Sequence, residues 1–185
     1  MASSLDKLSS YLPSEKKTIL KKEWKHLSID CLKLLERKGV YPYDYIDSWE
    51  KLNSSHLPSK DEFTNKLNGN EILDDEYNFA LNVWTAFDIR SLGEYSDLYL
   101  KIDVLLLADV FENFRSICLQ LYSLDPAHYY TAPGFSWDAM LKYTNIEIEL
   151  FTDIDMLLFI ERGIRGGISQ CSKRYSKANN KYIYV

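Results

Sequence analysis

The clearest hydrophobic periodicity in the chain lies between residues 95 and 122. Apolar side chains recur there at helical spacing, namely Leu107, Val110, Phe111, Phe114, Ile117, Cys118 and Leu121. Such spacing places the side chains on one face, so it predicts a long helix with a single buried stripe. The following Asp125-Pro126 pair predicts where this helix ends.

Shorter helices are predicted from capping residues and helix breakers. They lie at 16–24 (capped by Ser14), 27–37 (stopping at Gly39), 75–86, 136–142 (capped by Ser136) and 152–163 (capped by Thr152 and ending at Gly163). A turn is predicted at Pro133-Gly134, and the polar stretch 53–76 indicates a surface insertion.

After residue 163 the helical pattern gives way to short strand-like runs. They cover 164–170 and 182–185 and are separated by a polar, basic turn at Asn179-Asn180. The pattern as a whole predicts an α+β fold that is mainly helical, with a small β element confined largely to 164–185.

Composition favours a packed globular chain, with 46% hydrophobic and 26% charged residues. The cysteines Cys31, Cys118 and Cys171 are odd in number and lack CxxC spacing, which argues against a disulfide framework or zinc site and favours a reducing intracellular compartment. No apolar run approaches the roughly 20 residues of a membrane helix, and the opening MASSLDKLSS does not read as a secretory signal. We therefore expect no membrane partner.

The net charge of −5 is unevenly distributed along the chain. Residues 15–38 carry a local charge of +4 and residues 162–185 carry +6, whereas residues 39–161 carry −15. Phosphate binding responds to the local field, so the two basic ends are compatible with nucleic-acid binding. A solvated surface with chance clustering of charge is the alternative.

Tyr99 and Asp103 stand four residues apart on the predicted long helix, so their side chains share a face. Asp103 lies on the predicted apolar stripe, and the other acids of the helix fall at least about 120° away. Those other acids are Asp97, Asp109 and Glu112. The pattern predicts that Asp103 alone faces the buried side, where a carboxylate needs a hydrogen bond, a cation or a metal. Pairing with a Lys or Arg, or with Tyr99 itself, is the alternative to a functional site.

Residues 99–103, YLKID, resemble the third exonuclease motif, YxxxD, of family-B DNA polymerases. The resemblance implies that Asp103 ligates a catalytic Mg²⁺ and that Tyr99 orients the attacking water. Two-metal hydrolysis of a phosphodiester uses carboxylates in this way.

Two upstream segments resemble motifs of the protein-primed members of that family. Residues 4–8, SLDKL, resemble the (S/T)Lxxh motif, and residues 38–41, KGVY, resemble the Kxxh motif. The resemblance implies that Ser4, Leu5 and Tyr41 bind a single-stranded primer end and that Lys38 contacts the scissile region. Without the resemblance, Ser4 would simply cap a helix and Lys38-Gly39 would simply end one. The distance from Lys38 to Tyr99 exceeds that of compact family members, which implies an insertion at about 43–85.

Residues 164–167, IRGG, resemble the YxGG motif that joins the exonuclease and polymerase domains and grips the template strand. Ile164 stands where the family usually has Tyr. Glycines permit close approach of a DNA backbone. The implied DNA contacts are Arg165, Gly166, Gly167, Lys173 and Arg174. A tight hairpin without a ligand is the alternative.

Three longer segments, 99–114, 129–144 and 155–168, resemble polymerases of Polinton or Maverick transposons and related virus-like elements. The resemblance implies an internal piece of such a polymerase. It would comprise part of an RNase H-like 3′–5′ exonuclease domain at 1–125, a helical connector at 126–163, and a hairpin with the first strand toward the polymerase palm at 164–185. The first two exonuclease motifs would precede Met1, and the metal-binding Asp of polymerase motif A would follow Val185.

The implied activity is DNA-directed DNA polymerisation with 3′–5′ proofreading in the replication of a mobile element or virus. It would use Mg²⁺ and dNTPs on a single-stranded primer end and a template. We expect this chain alone to be inactive and not to bind Mg²⁺ stably, because Asp103 by itself cannot build a two-metal site. Two alternatives stay open: a non-catalytic DNA-binding module derived from such a polymerase, and a helical protein-interaction domain whose acidic middle meets a basic partner.

Overall fold

The computed structural model of this chain describes residues 3–64, 69 and 71–166. Within these residues the chain is built of helices and connecting loops and contains no strand, which confirms the mainly helical prediction. The predicted β element falls largely on 167–185, outside the described residues. The chain divides into two compact units, Met1–Tyr143 and Thr144–Val185.

The α-helices, numbered in chain order, are α1 (Leu5–Tyr11), α2 (Thr18–Glu23), α3 (Ile29–Leu35), α4 (Asp74–Ala86), α5 (Leu92–Tyr122), α6 (Ala132–Thr144) and α7 (Ile154–Gly163). Single 3₁₀ turns lie at Ser14–Lys16, Trp49–Asn53, Lys60–Phe63 and Pro126–His128. Among the described helices, none combines the length and apolar character that a bilayer-spanning segment requires.

Helix α5 begins and ends through local backbone chemistry. The Ser91 hydroxyl accepts a hydrogen bond from the Glu94 amide at 3.2 Å, and the Glu94 carboxylate accepts one from the Arg90 amide at 2.7 Å. The first bond satisfies an amide that the first helical turn leaves without a partner, and the second ties the residue before the N-cap to that turn. At the other end, Ser123 has a left-handed φ of 51° and its amide donates to the Leu119 carbonyl. The prediction of a helix over 95–122 is therefore correct to within one turn.

Three predicted helix starts are wrong, and each has a local cause. Ser14 opens a 3₁₀ turn, and α2 starts only at Thr18. Helix α6 starts at Ala132 rather than at Ser136, because the Thr131 hydroxyl caps the Gly134 amide at 3.3 Å. The predicted Pro133-Gly134 turn is thus the first turn of a helix, where proline is tolerated. Helix α7 is capped by Asp153 rather than Thr152, through the Asp155 amide at 2.8 Å.

The core of the first unit lies along α5 in successive clusters. The first contains Leu57, Ala80, Val83, Ile89, Leu92 and Tyr95; the second contains Leu20, Trp24, Leu35, Ile102 and Leu106; the third contains Cys118, Phe135 and Ala139. Helix α5 therefore contributes residues to all three clusters, and α1 and α2 pack directly against it.

The buried stripe of α5 is not the predicted one. Its buried residues follow a three-and-four spacing through Leu92, Tyr95, Tyr99, Ile102, Leu106 and Asp109. From the predicted stripe, Leu107, Phe111, Phe114, Ile117 and Leu121 are 41–61% exposed, while Cys118 is buried. Helix α5 is apolar on more than one face, so its periodicity alone does not identify the face against which the other helices pack.

Candidate functional site

Lys38 and Asp103, which the sequence assigns to two separate motifs, meet on the surface of α5. The Lys38 ammonium Nζ lies 3.7 Å from Asp103 Oδ2, and the two side chains are 30% and 21% exposed. This separation is at the long end for an ion pair, and both groups reach solvent. The pair is therefore a partly exposed salt bridge, which is the pairing with a lysine that the sequence analysis gave as the alternative to a functional site.

The second oxygen of Asp103 has no partner. Oδ1 is buried and lacks a hydrogen bond among the described groups. Buried carboxylate oxygens are almost always satisfied, because desolvation without a replacement bond is costly. Asp103 thus carries one buried oxygen without a full hydrogen bond, close to the Tyr99 hydroxyl, while its other oxygen faces the Lys38 ammonium.

Tyr99 is buried next to Asp103, and its hydroxyl lies 2.7 Å from the hydroxyl of Tyr43. Burial raises the pKa of Tyr99 far above its ordinary value, followed by the hydrogen bond with Tyr43, the charge of Asp103 and, as the smallest cause, a hydrogen-bond interaction with the Asp103 carboxylate. The phenol therefore stays neutral at physiological pH. It can orient a bound water or a ligand oxygen, but it cannot serve as a base.

The KGVY segment, 38–41, is fixed to α5 by side-chain hydrogen bonds and ring stacking. The Tyr95 hydroxyl donates to the Val40 carbonyl at 2.8 Å, and the Tyr41 hydroxyl bonds the Ser96 hydroxyl at 2.8 Å. The Tyr41 ring stacks on Tyr99, with centroids 4.7 Å apart. A Cβ added to Gly39 would lie 3.4 Å from the Tyr99 ring, so the backbone passes in close contact with that ring. These contacts set the position of the neighbouring Lys38.

A cavity of about 270 Å³ opens beside this group of residues. It is lined by residues 38–41, Tyr43, Asp44, Phe63, Thr64, Ile72 and Tyr99. Half of the lining residues, from Tyr43 to Ile72, belong to the region that the sequence identifies as an insertion, 43–85. The sequence analysis did not identify Tyr43 as a site residue. The available signal was the aromatic density of YPYDY in an otherwise polar region.

Of the predicted site residues, Lys38, Tyr41 and Tyr99 line this cavity, whereas Asp103 and the other described ones do not. The Ser4 hydroxyl accepts from the Lys7 amide at 3.2 Å and caps α1, and Leu5 packs against the second core cluster. Arg165 and Gly166 belong to the second unit, where the Arg165 guanidinium donates to the Arg162 carbonyl at 2.7 Å. Gly167, Lys173 and Arg174 lie outside the described residues.

The prediction that Asp103 is the one carboxylate facing the buried side is wrong, because Asp109 is only 1% exposed. Its Oδ1 accepts from the Ile19 amide at 2.8 Å and its Oδ2 from the Leu20 amide at 3.0 Å. Both amides belong to the first turn of α2, which its own N-cap residue leaves uncapped. Asp109 thus has a structural role that a single-helix projection does not reveal.

Asp103 fits the role of one metal ligand, because its buried Oδ1 is unpartnered. Within the described part of the chain, no group of three or more His, Cys, Asp or Glu side chains is placed to hold a metal ion. Any further ligands would have to come from outside these residues.

Comparison with protein-family models, with curated proteins and with solved structures finds no match to this chain.

Proposed function

We propose that this chain is a piece of a family-B, protein-primed-type DNA polymerase and that the cavity beside Tyr99 belongs to its 3′–5′ exonuclease site. One observation carries the proposal. Lys38, from the Kxxh-like segment, lies 3.7 Å from Asp103, from the YxxxD-like segment, although the two are far apart in sequence. The resemblance implies that these two residues belong to one site, and their separation supports the proposal.

Each residue of the group has a chemistry that suits phosphodiester hydrolysis. Asp103 offers an unpartnered carboxylate oxygen to Mg²⁺, and a bound Mg²⁺ would polarise the phosphate and lower the pKa of water. The neutral Tyr99 hydroxyl can orient the attacking water by hydrogen bonding. Lys38, at the edge of the cavity, can offset the negative charge of the scissile phosphate.

The finer architecture is part of the same proposal. The described helices would be the helical portion of an RNase H-like exonuclease domain at 1–125 and the connector at 126–163. The basic segment from residue 164 would lead toward the polymerase palm, where dNTPs and the template bind. The parent would replicate a mobile element or a virus.

The proposal is tested by sequencing the transcript on both sides of the region and assaying its full-length product. We expect the reading frame to continue past Val185 into a motif that begins with Asp, and acidic exonuclease motifs to precede the chain. The full-length product should shorten single-stranded 3′ ends in the presence of Mg²⁺, and Asp103→Asn should eliminate that activity.

Asp97→Asn is the matched control, because Asp97 is an exposed acid on the same helix, six residues before the Asp103 that pairs with Lys38. A stop codon directly after Val185, together with stable expression of the product, would favour a non-catalytic module over the polymerase. A full-length product whose exonuclease activity survives Asp103→Asn would contradict the assignment of the site.

A further inference from the structure

Helix α5 carries a second row of apolar side chains, on a different face from its core residues. The row consists of Leu100, Val104, Leu107, Phe111 and Phe114, which are 41–62% exposed. These residues alternate in steps of four and three along the helix. The row contains part of the predicted stripe, and neither the packing of the core nor the proposed function accounts for it.

The spacing of the row is typical of a surface that packs against another helix. Alternating steps of four and three keep side chains on one line, as in the contact between two paired helices. The next step along this line reaches Cys118, which is buried in a cluster with Phe135 and Ala139 of α6. A helix therefore already packs on the C-terminal continuation of the row, whereas the part from Leu100 to Phe114 is exposed.

The exposed area of the row is enough for a small protein interface. A large apolar side chain has roughly 200 Å² of surface, so five half-exposed side chains offer about 500 Å² on one copy of the chain. Contact between two such rows would bury about 1,000 Å², at the lower end of the range for specific interfaces. The area thus supports a weak, reversible dimer.

Two copies of the row are complementary in size when they run antiparallel. The row begins with the aliphatic Leu100 and Val104 and ends with two phenylalanines. An antiparallel pair can set Leu107 of one copy against Phe111 of the other. In the same register Val104 lies against Phe114. Each ring then faces a smaller side chain, which is how large and small residues fill a contact without voids.

The two basic side chains of α5 flank the row and are paired within the chain. Lys101 Nζ lies 2.6 Å from Glu23 Oε1. Arg115 Nη2 lies 2.6 Å from Asp125 Oδ2. Like charges brought together by a symmetric contact oppose association, and this pairing reduces that repulsion between two copies.

We propose that the row from Leu100 to Phe114 is a dimerisation surface, on which α5 of a second copy of this chain packs antiparallel. A two-fold contact of this kind uses the same patch on both copies and needs no other partner. The dimer goes beyond the proposed exonuclease site and does not depend on it, because none of the five row residues lines the cavity.

Sedimentation equilibrium of the whole 185-residue chain tests the dimer. Under reducing conditions, which exclude disulfide-linked species, the average mass should rise toward that of two chains between about 10 μM and about 1 mM. Val104→Glu should weaken this association on the order of tenfold or more, because it buries an unpaired carboxylate in the contact. Leu119→Glu is the matched control, since Leu119 is a 43% exposed leucine of α5 outside the row. It should associate like the wild type.

Two complementary variants test the orientation. A mixture of Val104→Glu with Phe114→Lys should associate more tightly than either variant alone, because an antiparallel contact sets the new acid against the new base. In a parallel contact these positions do not meet. Circular dichroism of dilute samples, in which a weak dimer dissociates, should show wild-type helix content for each variant.

A chain that stays monomeric at the highest concentration overturns the proposed dimer, and so does equal weakening by Val104→Glu and Leu119→Glu. A mixture of the two charged variants that gains no affinity overturns the antiparallel arrangement. None of these results decides the polymerase assignment, which rests on the reading frame and on the Asp103→Asn exonuclease assay of the full-length product.

Discussion

The Asp109 carboxylate accepts a hydrogen bond from the Leu20 amide at 3.0 Å in the interior between α5 and α2. Its other oxygen accepts from Ile19 at 2.8 Å, so both oxygens are satisfied. Six residues earlier on the same helix, Asp103 has one oxygen without a partner and the other 3.7 Å from a lysine. The two acids of α5 thus differ in what they contribute to stability.

We predict that Asp109→Asn lowers the free energy of unfolding by about 2–4 kcal/mol. The asparagine side chain offers one oxygen to two amides and turns an NH₂ group toward the second. Urea denaturation monitored by circular dichroism measures the loss.

Asp103→Asn is the matched comparison and should change the free energy of unfolding by less than about 1 kcal/mol, because its ion pair is long and partly solvated. Equal losses for the two variants would mean that Asp103 is a structural residue.

Leu106 and Leu107 give a second matched pair. Leu106 is fully buried in the second core cluster, whereas Leu107 is 54% exposed. We predict that Leu106→Ala costs about 2–5 kcal/mol, because it leaves a cavity in packed surroundings. Leu107→Ala should cost less than about 1 kcal/mol. A larger loss at Leu107, in the same denaturation experiment, would place the buried stripe of α5 where the sequence predicted it.

We predict that the protein loses stability at alkaline pH because two of its tyrosines are buried. Burial raises the pKa of Tyr95, and burial with the Tyr43 hydrogen bond and the Asp103 charge raises the pKa of Tyr99. In the unfolded chain both ionise near pH 10. Their contribution is fully present below that pH and declines as pH rises toward the folded pKa, because the folded state retains protons that the unfolded state loses.

The expected slope is at most about 1.4 kcal/mol per pH unit for each tyrosine. Urea denaturation at several pH values above about 10 measures this slope. Tyr95→Phe and Tyr99→Phe should each reduce it, whereas Tyr11→Phe, at an exposed position, should not. An unchanged slope in both buried variants would show that these phenols ionise freely in the folded protein.

The sequence predicted the extent of helix α5 to within one turn because apolar spacing and the Asp125-Pro126 pair are local signals. It missed the start at Leu92, which the Ser91 hydroxyl caps through the Glu94 amide. The prediction of which face of α5 is buried was wrong, because that face is decided by the other helices that pack on it. The burial of Asp109 was not predicted for the same reason, since its hydrogen-bond partners Ile19 and Leu20 lie about 90 positions away in the sequence.

The candidate site was partly predictable. Tyr99 and Asp103 share a helix, so their spacing gives their proximity, and the likeness of 38–41 to a known motif drew attention to Lys38. Neither spacing nor motif gives Tyr43, whose importance depends on a loop folding back over α5 to place two hydroxyls 2.7 Å apart. Such a contact is a property of tertiary packing alone.

The last prediction concerns DNA binding by the basic segment that begins at Arg162. Six basic residues and no acid lie between positions 162 and 185. Such a segment should bind single-stranded DNA weakly and without regard to sequence, on the order of 10⁻⁴–10⁻⁶ M at physiological salt. Arg165→Ala should weaken binding to all sequences alike and lower the salt slope by about one unit for each phosphate that the arginine neutralises.

The Gly166→Val variant tests whether the DNA backbone approaches the protein closely at this residue, without changing the charge. A Cβ at Gly166 meets no described atom within 4 Å, so the protein itself has room for the larger side chain. Weaker binding by this variant would therefore report steric exclusion of the DNA backbone. Arg90→Ala is the control for general loss of positive charge, because Arg90 is an exposed arginine paired with Asp88 in the first unit.

Filter binding of two unrelated oligonucleotides at two salt concentrations measures both effects. The acidic stretch 39–161 acts against binding by repelling the strand, and higher salt screens that repulsion together with the attraction. The comparison between Arg165→Ala and Arg90→Ala at the same salt removes this common contribution. If the two variants bind alike, or if Arg165→Ala binds as tightly as the wild type, Arg165 makes no phosphate contact and the residues around it form a structural turn.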